Sequence, residues 1–136
     1  MLYTIDASGN IGALTQAQYD AIPDGRRPKV YTADAPEVTA VFKGQVDERN
    51  GRRALTQVEL RLALAKMGAD DKLQKALDKM KDDIERKTMQ TLYDFTPSFS
   101  VKSSALDGLS RIGGFEVAEV FAVAGKPEEV YTPPVV

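Results

Sequence analysis

The chain has 136 residues, of which 18 are basic and 20 are acidic, so its formal net charge is −2 at neutral pH. It contains no cysteine and no histidine, which excludes disulfides, thiolate nucleophiles and metal sites built from these side chains. The apolar fraction of 43% and the charged fraction of 28% are those of a globular protein with a hydrophobic core.

The charges are interspersed and do not form the clustered basic face of a nucleic-acid-binding protein. The two basic clusters, GRRPK and RNGRR, each lie beside acidic residues. No apolar run reaches the roughly 18–20 residues of a membrane span. The first residues, MLYTIDASGNIG, lack the pattern of a secretory signal. We therefore expect synthesis in the cytoplasm, with no binding to nucleic acid or membrane.

Residues 1–50 are predicted to be a strand-rich N-terminal region. The alternation in MLYTID predicts a first strand. The segments PKVYTA (28–33) and EVTAVFKGQV (37–46) are rich in β-branched and aromatic residues, and they predict two further strands of a small antiparallel meander. DERNGRR (47–53) is predicted to be a polar linker.

The first three predicted helices carry local capping signals. Thr15 and Gln18 have the spacing of a capping box, which predicts a short helix over LTQAQYDAI. Thr56 and Glu59 have the same spacing, and Gly68 is predicted to end the helix that they begin. Either Asp70 or Asp71 is predicted to cap the next helix.

Leucines dominate the two helices after residue 53. In the first, two neighbouring apolar stripes predict a wide apolar face that is covered on more than one side; they consist of Val58, Leu62 and Ala65 and of Leu60, Leu64 and Met67.

The next helix carries an apolar stripe at heptad spacing, formed by Leu73, Leu77, Met80 and Ile84. We interpret this stripe either as packing against the preceding helix or as a contact between subunits. The helical pattern either continues to Phe95 or breaks within residues 81–87.

The remaining segments are short. SFSVK is predicted to be extended, and ALDGLSRI is predicted to be a helix that Ser103 or Ser104 caps and that ends at Gly113-Gly114. FEVAEVFAVA is predicted to be a last helix, although its β-branched residues also suit a strand. Residues 51–124 therefore form a predicted helical domain with a bundle of about four helices.

Residues 125–136, GKPEEVYTPPVV, contain three prolines and no periodicity. They are predicted to be an extended arm that either packs back on its own domain or docks on a neighbour. The predicted partner contacts are Val130, Tyr131, Pro133 and Pro134.

Catalysis without histidine or cysteine would require other groups. The paired acids Asp70-Asp71, Asp82-Asp83 and Glu128-Glu129 are adjacent in sequence, so on a helix their side chains point about 100° apart. We interpret them as caps and solvated surface charges. No calcium-loop or phosphate-loop spacing is present. We expect no enzyme activity, no cofactor and no metal; an enzyme would need two buried acids that face one pocket.

The helical half resembles a module of small tail proteins of tailed bacteriophages, which also occurs at the C-terminal ends of tail-fibre proteins. The matching segments cover roughly residues 53–125 and are VELRLALAKMG, DDKLQKAL, TLYDF, SSALDGLSRIG and EVAEVFAVA. The resemblance rests on apolar patterns, among them Arg61, Leu62 and Leu64 in the first helix and Phe121 with Ala124 in the last.

Taken together, we expect an α+β protein with small N-terminal antiparallel strands, a helical domain and an extended arm. The resemblance implies a non-enzymatic structural or adaptor component of a phage tail, located in the virion at the tip, baseplate or fibre attachment. It implies other tail proteins as partners, with homo-oligomers possible. The alternatives are a tail-fibre assembly chaperone that is absent from the mature virion and a small regulatory or nucleic-acid-binding protein.

Overall fold

The computed structural model describes residues 1–133, which belong to two compact units. Unit 1 comprises Met1–Glu48 with the segment that begins at Val130, and unit 2 comprises Arg49–Glu129. Within residues 1–133 there are seven α-helices and two small antiparallel sheets. The expected α+β class is confirmed, and the protein is mostly helical.

Unit 1 begins with a hairpin. Strand β1 (Leu2–Ile5) pairs antiparallel with strand β2 (Ile11–Leu14). Helix α1 (Gln16–Asp20) follows, and the predicted capping box of Thr15 and Gln18 is confirmed. A short 3₁₀ helix at Asp24–Arg26 precedes the next segment.

The two further strands predicted for this region are wrong. Residues 37–46 lie inside helix α2 (Pro36–Gly51), and the segment 28–33 contributes only one bridge, between Tyr31 and Tyr3. The proline suits a first helical position because its φ is already helical. The apolar residues Val38 and Val46 are buried eight positions apart, a spacing that suits one face of a helix and equally one face of a strand. The start signals, a proline at the first position and Glu37 in the first turn, outweigh the β-branched composition.

Helix α2 also replaces the predicted linker at 47–53, because it continues to Gly51. Its inner face packs on the hairpin: Val38 is fully buried, and the rings of Tyr3 and Phe42 meet edge to face with centroids 5.7 Å apart. The N-terminal region is therefore held by one hairpin and one long helix, not by a strand meander.

Unit 2 contains five complete helices, whereas the sequence predicts about four. Its two strands, β3 (Ala54–Thr56) and β4 (Ser98–Ser100), pair antiparallel with Leu55 opposite Phe99. The helices are α3 (Gln57–Lys66), α4 (Asp70–Asp78), α5 (Asp83–Phe95), α6 (Ser104–Gly113) and α7 (Val117–Val123).

Most of the predicted caps in unit 2 are present. Thr56 and Glu59 form the predicted capping box of α3, and Ser103 caps α6. The predicted acidic cap of α4 is wrong, because Ala69 occupies the cap position without a side-chain bond. Asp70 and Asp71 lie in the first turn of α4, where negative charge complements the helix dipole.

The leucine stripe of α4 ends where the chain breaks between α4 and α5. Asp82 caps α5 by accepting a hydrogen bond from the backbone N–H of Glu85. Leu73 and Leu77 are fully buried, but Ile84 belongs to α5 and is 79% exposed. The stripe therefore serves internal packing through its two leucines and through Met80, which is partly buried against the same core.

A single core holds unit 2 together. It includes residues from both strands and from all five helices of the unit, with Tyr93 as the contribution of α5. Its fully buried members are Leu55, Leu60, Leu64, Leu73, Leu77, Phe99, Leu106, Leu109, Val120 and Phe121.

Gly114→Ala is expected to lower the free energy of unfolding by about 1–2 kcal/mol, because φ is +67° there and a Cβ is strained in that region. Denaturant unfolding measures the change. Gly108→Ala is the control within the same helix. It is expected to be neutral or stabilising by up to about 1 kcal/mol, since only the flexible methyl of Met89 lies close. Equal losses for both variants would contradict this account.

Candidate docking surfaces

Residues 126–129, the last residues of unit 2, are held in place by polar contacts. Arg49 Nε and Nη2 each lie 2.7 Å from a carboxylate oxygen of Glu129. The Asn50 side chain donates to the Glu129 carbonyl at 2.8 Å and accepts from its N–H at 2.7 Å. Lys126 Nζ donates to the Ala54 carbonyl at 2.8 Å and contacts Glu59 at 3.1 Å. Residues 126–129 therefore pack on their own chain.

The predicted partner contacts follow this attached segment. Val130 is 80% exposed and Pro133 is exposed, as a docking role requires. Tyr131 is half-buried; the ammonium of Lys43 lies 5.7 Å from its ring centre, and its buried hydroxyl has no hydrogen-bond partner within residues 1–133. Pro134 lies outside the described residues. The docking role of these four residues stays a prediction.

A second exposed apolar feature lies on α3. Val58, Leu62 and Ala65 recur at helical spacing and are all exposed, Val58 to 66% and Leu62 to 58%. We refer to these three residues as the α3 stripe. The opposite face of the helix, with Leu60 and Leu64, is fully buried. The sequence predicts a wide apolar face that is covered on more than one side, but within residues 1–133 the chain covers only the side with Leu60 and Leu64.

Helix α5 carries a third exposed feature, a shallow groove of about 400 Å³. Its lining, which we call the α5 groove, consists of Ile84, Lys87, Thr88, Thr91 and Leu92. Phe95 lies at the end of the same helical face and is 76% exposed.

The two helices are joined next to these exposed residues. Arg61 Nη2 lies 2.6 Å from Asp94 Oδ1, and the Arg61 guanidinium lies 3.9 Å from the Tyr93 ring centre. Gln57 donates to the carbonyls of Tyr93 and Asp94. Because Arg61 precedes Leu62 and Asp94 precedes Phe95, these contacts fix the backbone that presents both apolar side chains.

Perturbed pKa values have local structural causes. The hydroxyl of Thr32 lowers the pKa of Asp34, and the backbone N–H of Asn10 lowers that of Asp6. Burial raises the pKa of Tyr93. Asp6 and Asp107 line two separate pockets. In the described part of the chain, no three acidic side chains are grouped in a way that could hold a metal ion.

None of the helices within residues 1–133 combines the length and apolar character needed to cross a membrane. Comparisons of the chain with protein-family models, with curated proteins and with solved structures found no significant match.

The Glu129 contact predicts an acid-sensitive stability. Arg49 lowers the pKa of Glu129, so the folded state releases this proton more readily than the unfolded chain. The resulting stabilisation is present above the ordinary glutamate pKa of about 4.3 and is lost as the pH falls below it. We expect the thermal midpoint to fall less steeply from pH 5 to pH 3 in Glu129→Gln than in the wild type. Glu128→Gln is the neighbouring control and should follow the wild type; identical profiles for all three would contradict the assignment.

Proposed function

We propose that the protein is a structural or adaptor component of a phage tail, at the tip, baseplate or fibre attachment, and that it acts through protein–protein contacts. The observation that carries the proposal is the uncovered apolar surface of unit 2. The α3 stripe and the outer face of α5 leave large side chains in solvent on a unit whose core is otherwise well filled.

The resemblance to phage tail modules supports the same proposal. Its matching segments fall on α3, α4, the end of α5, α6 and α7, which pack on one another. Leu64, Leu106 and Phe121 from these segments are fully buried, whereas Leu62 and Phe95 are exposed. In this proposal unit 2 is a helical bundle that forms the body of the part, and its exposed residues contact a neighbouring tail protein.

The energetics favour burial of these side chains by a partner. Ile84 and Phe95 are 79% and 76% exposed. Covering a leucine- or phenylalanine-sized side chain contributes about 1.5–3 kcal/mol. Large exposed apolar patches mark interaction sites. Other tail proteins are the proposed partners, and further copies of this chain are a second possibility. The proposal includes no enzymatic step, cofactor, nucleic acid or membrane.

Quantitative mass spectrometry of purified phage particles tests the proposal. We expect the chain in the particles at a fixed ratio to the other tail proteins. Absence from particles, combined with co-purification with the fibre protein from infected cells, would support the assembly chaperone instead. Absence from both would contradict a role in the tail. A shift of DNA in a gel at low salt, lost at high salt, would favour the nucleic-acid-binding alternative.

A further inference from the structure

The end of α2 holds the extended segment around Glu129 of its own chain. Asn50 forms two hydrogen bonds with the main chain of Glu129, one as donor to the carbonyl and one as acceptor from the N–H. Two strands exchange the same pair of bonds in an antiparallel ladder. Asn50 therefore recognises the backbone of the bound segment, whatever its side chain.

Arg49 recognises the side chain. Its guanidinium makes two parallel bonds of 2.7 Å to the Glu129 carboxylate, a geometry that selects a carboxylate over other groups. Arg53 adds a second backbone contact, from Nη1 to the carbonyl of Lys126 at 3.0 Å. The site therefore binds two backbone carbonyls, one backbone N–H and one carboxylate within residues 126–129.

The ion pair that holds the bound segment lies at the surface. The side chains of Arg49 and Glu129 are 53% and 47% exposed, and exposed ion pairs contribute little net stability because water screens them. The segment starts at Gly125, whose φ of +81° directs the chain away from α7, and residues 126–133 form no helix or strand. A segment with these properties can leave its site without unfolding a helix.

We propose that the site formed by Arg49, Asn50 and Arg53 also accepts the C-terminal segment of a second copy of this chain, so that two copies join by exchanging residues 126–133. The second copy is the occupant because it carries the same Lys126-to-Glu129 sequence that the site already binds. Exchange of identical elements needs no new contact, which makes it a low-cost route to a dimer. The proposal concerns the chain itself and does not rest on a role in a phage tail.

The closed monomer competes with exchange. A segment tethered to its own site has an effective concentration in the millimolar range, so the wild-type chain favours the closed form in dilute solution. The experiment must therefore remove the intrachain pairing and keep the interchain pairing.

Two full-length charge-reversal variants achieve this. In Arg49→Glu the site repels its own Glu129, and in Glu129→Arg the segment is repelled by its own Arg49. Neither variant alone can form a favourable pair, within or between chains. In an equimolar mixture both exchanged pairs are favourable. The arginine introduced into the segment of one variant meets the glutamate introduced into the site of the other, and the native pair forms at the second site.

The double variant Arg49→Glu with Glu129→Arg is the matched control. It carries the same substitutions as the mixture but restores an intrachain pair, so it should have the mass of the wild type. The contacts are at the surface, and all variants are therefore expected to remain folded, which their thermal midpoints check.

Native mass spectrometry of the mixture is expected to show the mixed dimer in excess over either homodimer by about tenfold, because two exposed ion pairs are gained at once. Size-exclusion chromatography with light scattering should show the mass rise only on mixing. A mixture that keeps the mass of its separate components would overturn the proposal. Homodimers and mixed dimers in statistical proportions would overturn it as well, since another interface would then join the copies.

Discussion

Phe99→Ala is expected to lower the free energy of unfolding of unit 2 by about 3–5 kcal/mol, the usual cost of a large cavity in a core. The Phe99 ring is fully buried and lies on β4 opposite Leu55, which is also fully buried. Strand β3 precedes α3 and strand β4 follows α5. The pair therefore attaches both ends of the segment that contains α3, α4 and α5 to the core of unit 2. Urea denaturation followed by circular dichroism measures the loss.

Phe95→Ala is the matched control, because it removes the same ring four positions earlier. Phe95 is 76% exposed, so its loss should change the free energy of unfolding by about 0.5 kcal/mol or less. Similar losses for the two variants would show that one of the rings is not packed as described.

Leu62→Asp is expected to weaken association with the proposed tail partner by about 30-fold or more, the effect of losing a residue at the centre of an interface. The leucine is 58% exposed in the free chain, so the substitution should leave the thermal midpoint nearly unchanged. The ratio of this chain to the other tail proteins in purified particles, compared with the wild type, measures the loss.

Ala118→Asp is the control for added charge, because it also places an acid on an exposed apolar position of a helix in unit 2. It lies outside the α3 stripe and the α5 groove and should leave incorporation intact. Normal incorporation of Leu62→Asp would remove the α3 stripe from the interface. Equal loss in both variants would show that charge, and not apolar contact, limits assembly.

Local signals make much of unit 2 predictable. The caps at Thr56 and Ser103 depend on hydrogen bonds to residues three positions away, so a few letters of sequence determine them. Gly114 ends α6 for an equally local reason, its left-handed conformation. The segment FEVAEVFAVA contains helix α7, as predicted, although it also contains several β-branched residues.

Non-local pairing makes the rest unpredictable. Strand β3 has three residues, and its partner β4 lies more than forty positions along the chain, so the sequence predicts the extended segment of β4 but not the strand with which it pairs. The error over residues 37–46 has another origin: the β-branched composition favours a strand, while Pro36 and Glu37 are start signals of a helix.

Non-local contacts also decide which residues form the candidate surfaces, so local sequence does not predict them. The sequence of α3 reveals two apolar stripes, but only tertiary packing decides that Leu60 and Leu64 are covered and that Val58 and Leu62 are not. Likewise, nothing local relates Glu129 to Arg49, which lies eighty residues earlier. The sequence predicts that the arm either packs back or docks on a neighbour, and its first residues do pack on their own chain.

Cross-linking mass spectrometry of purified phage particles tests the central claim most directly, since Lys87 lies in the α5 groove with its side chain 74% exposed. If this face contacts a neighbouring tail protein, Lys87 will form cross-links to that protein. Lys29 is the internal comparison, because it belongs to unit 1 and is part of neither the α3 stripe nor the α5 groove. Interprotein cross-links are expected to be concentrated at Lys87. Particles in which Lys87 is linked only to its own chain would contradict it.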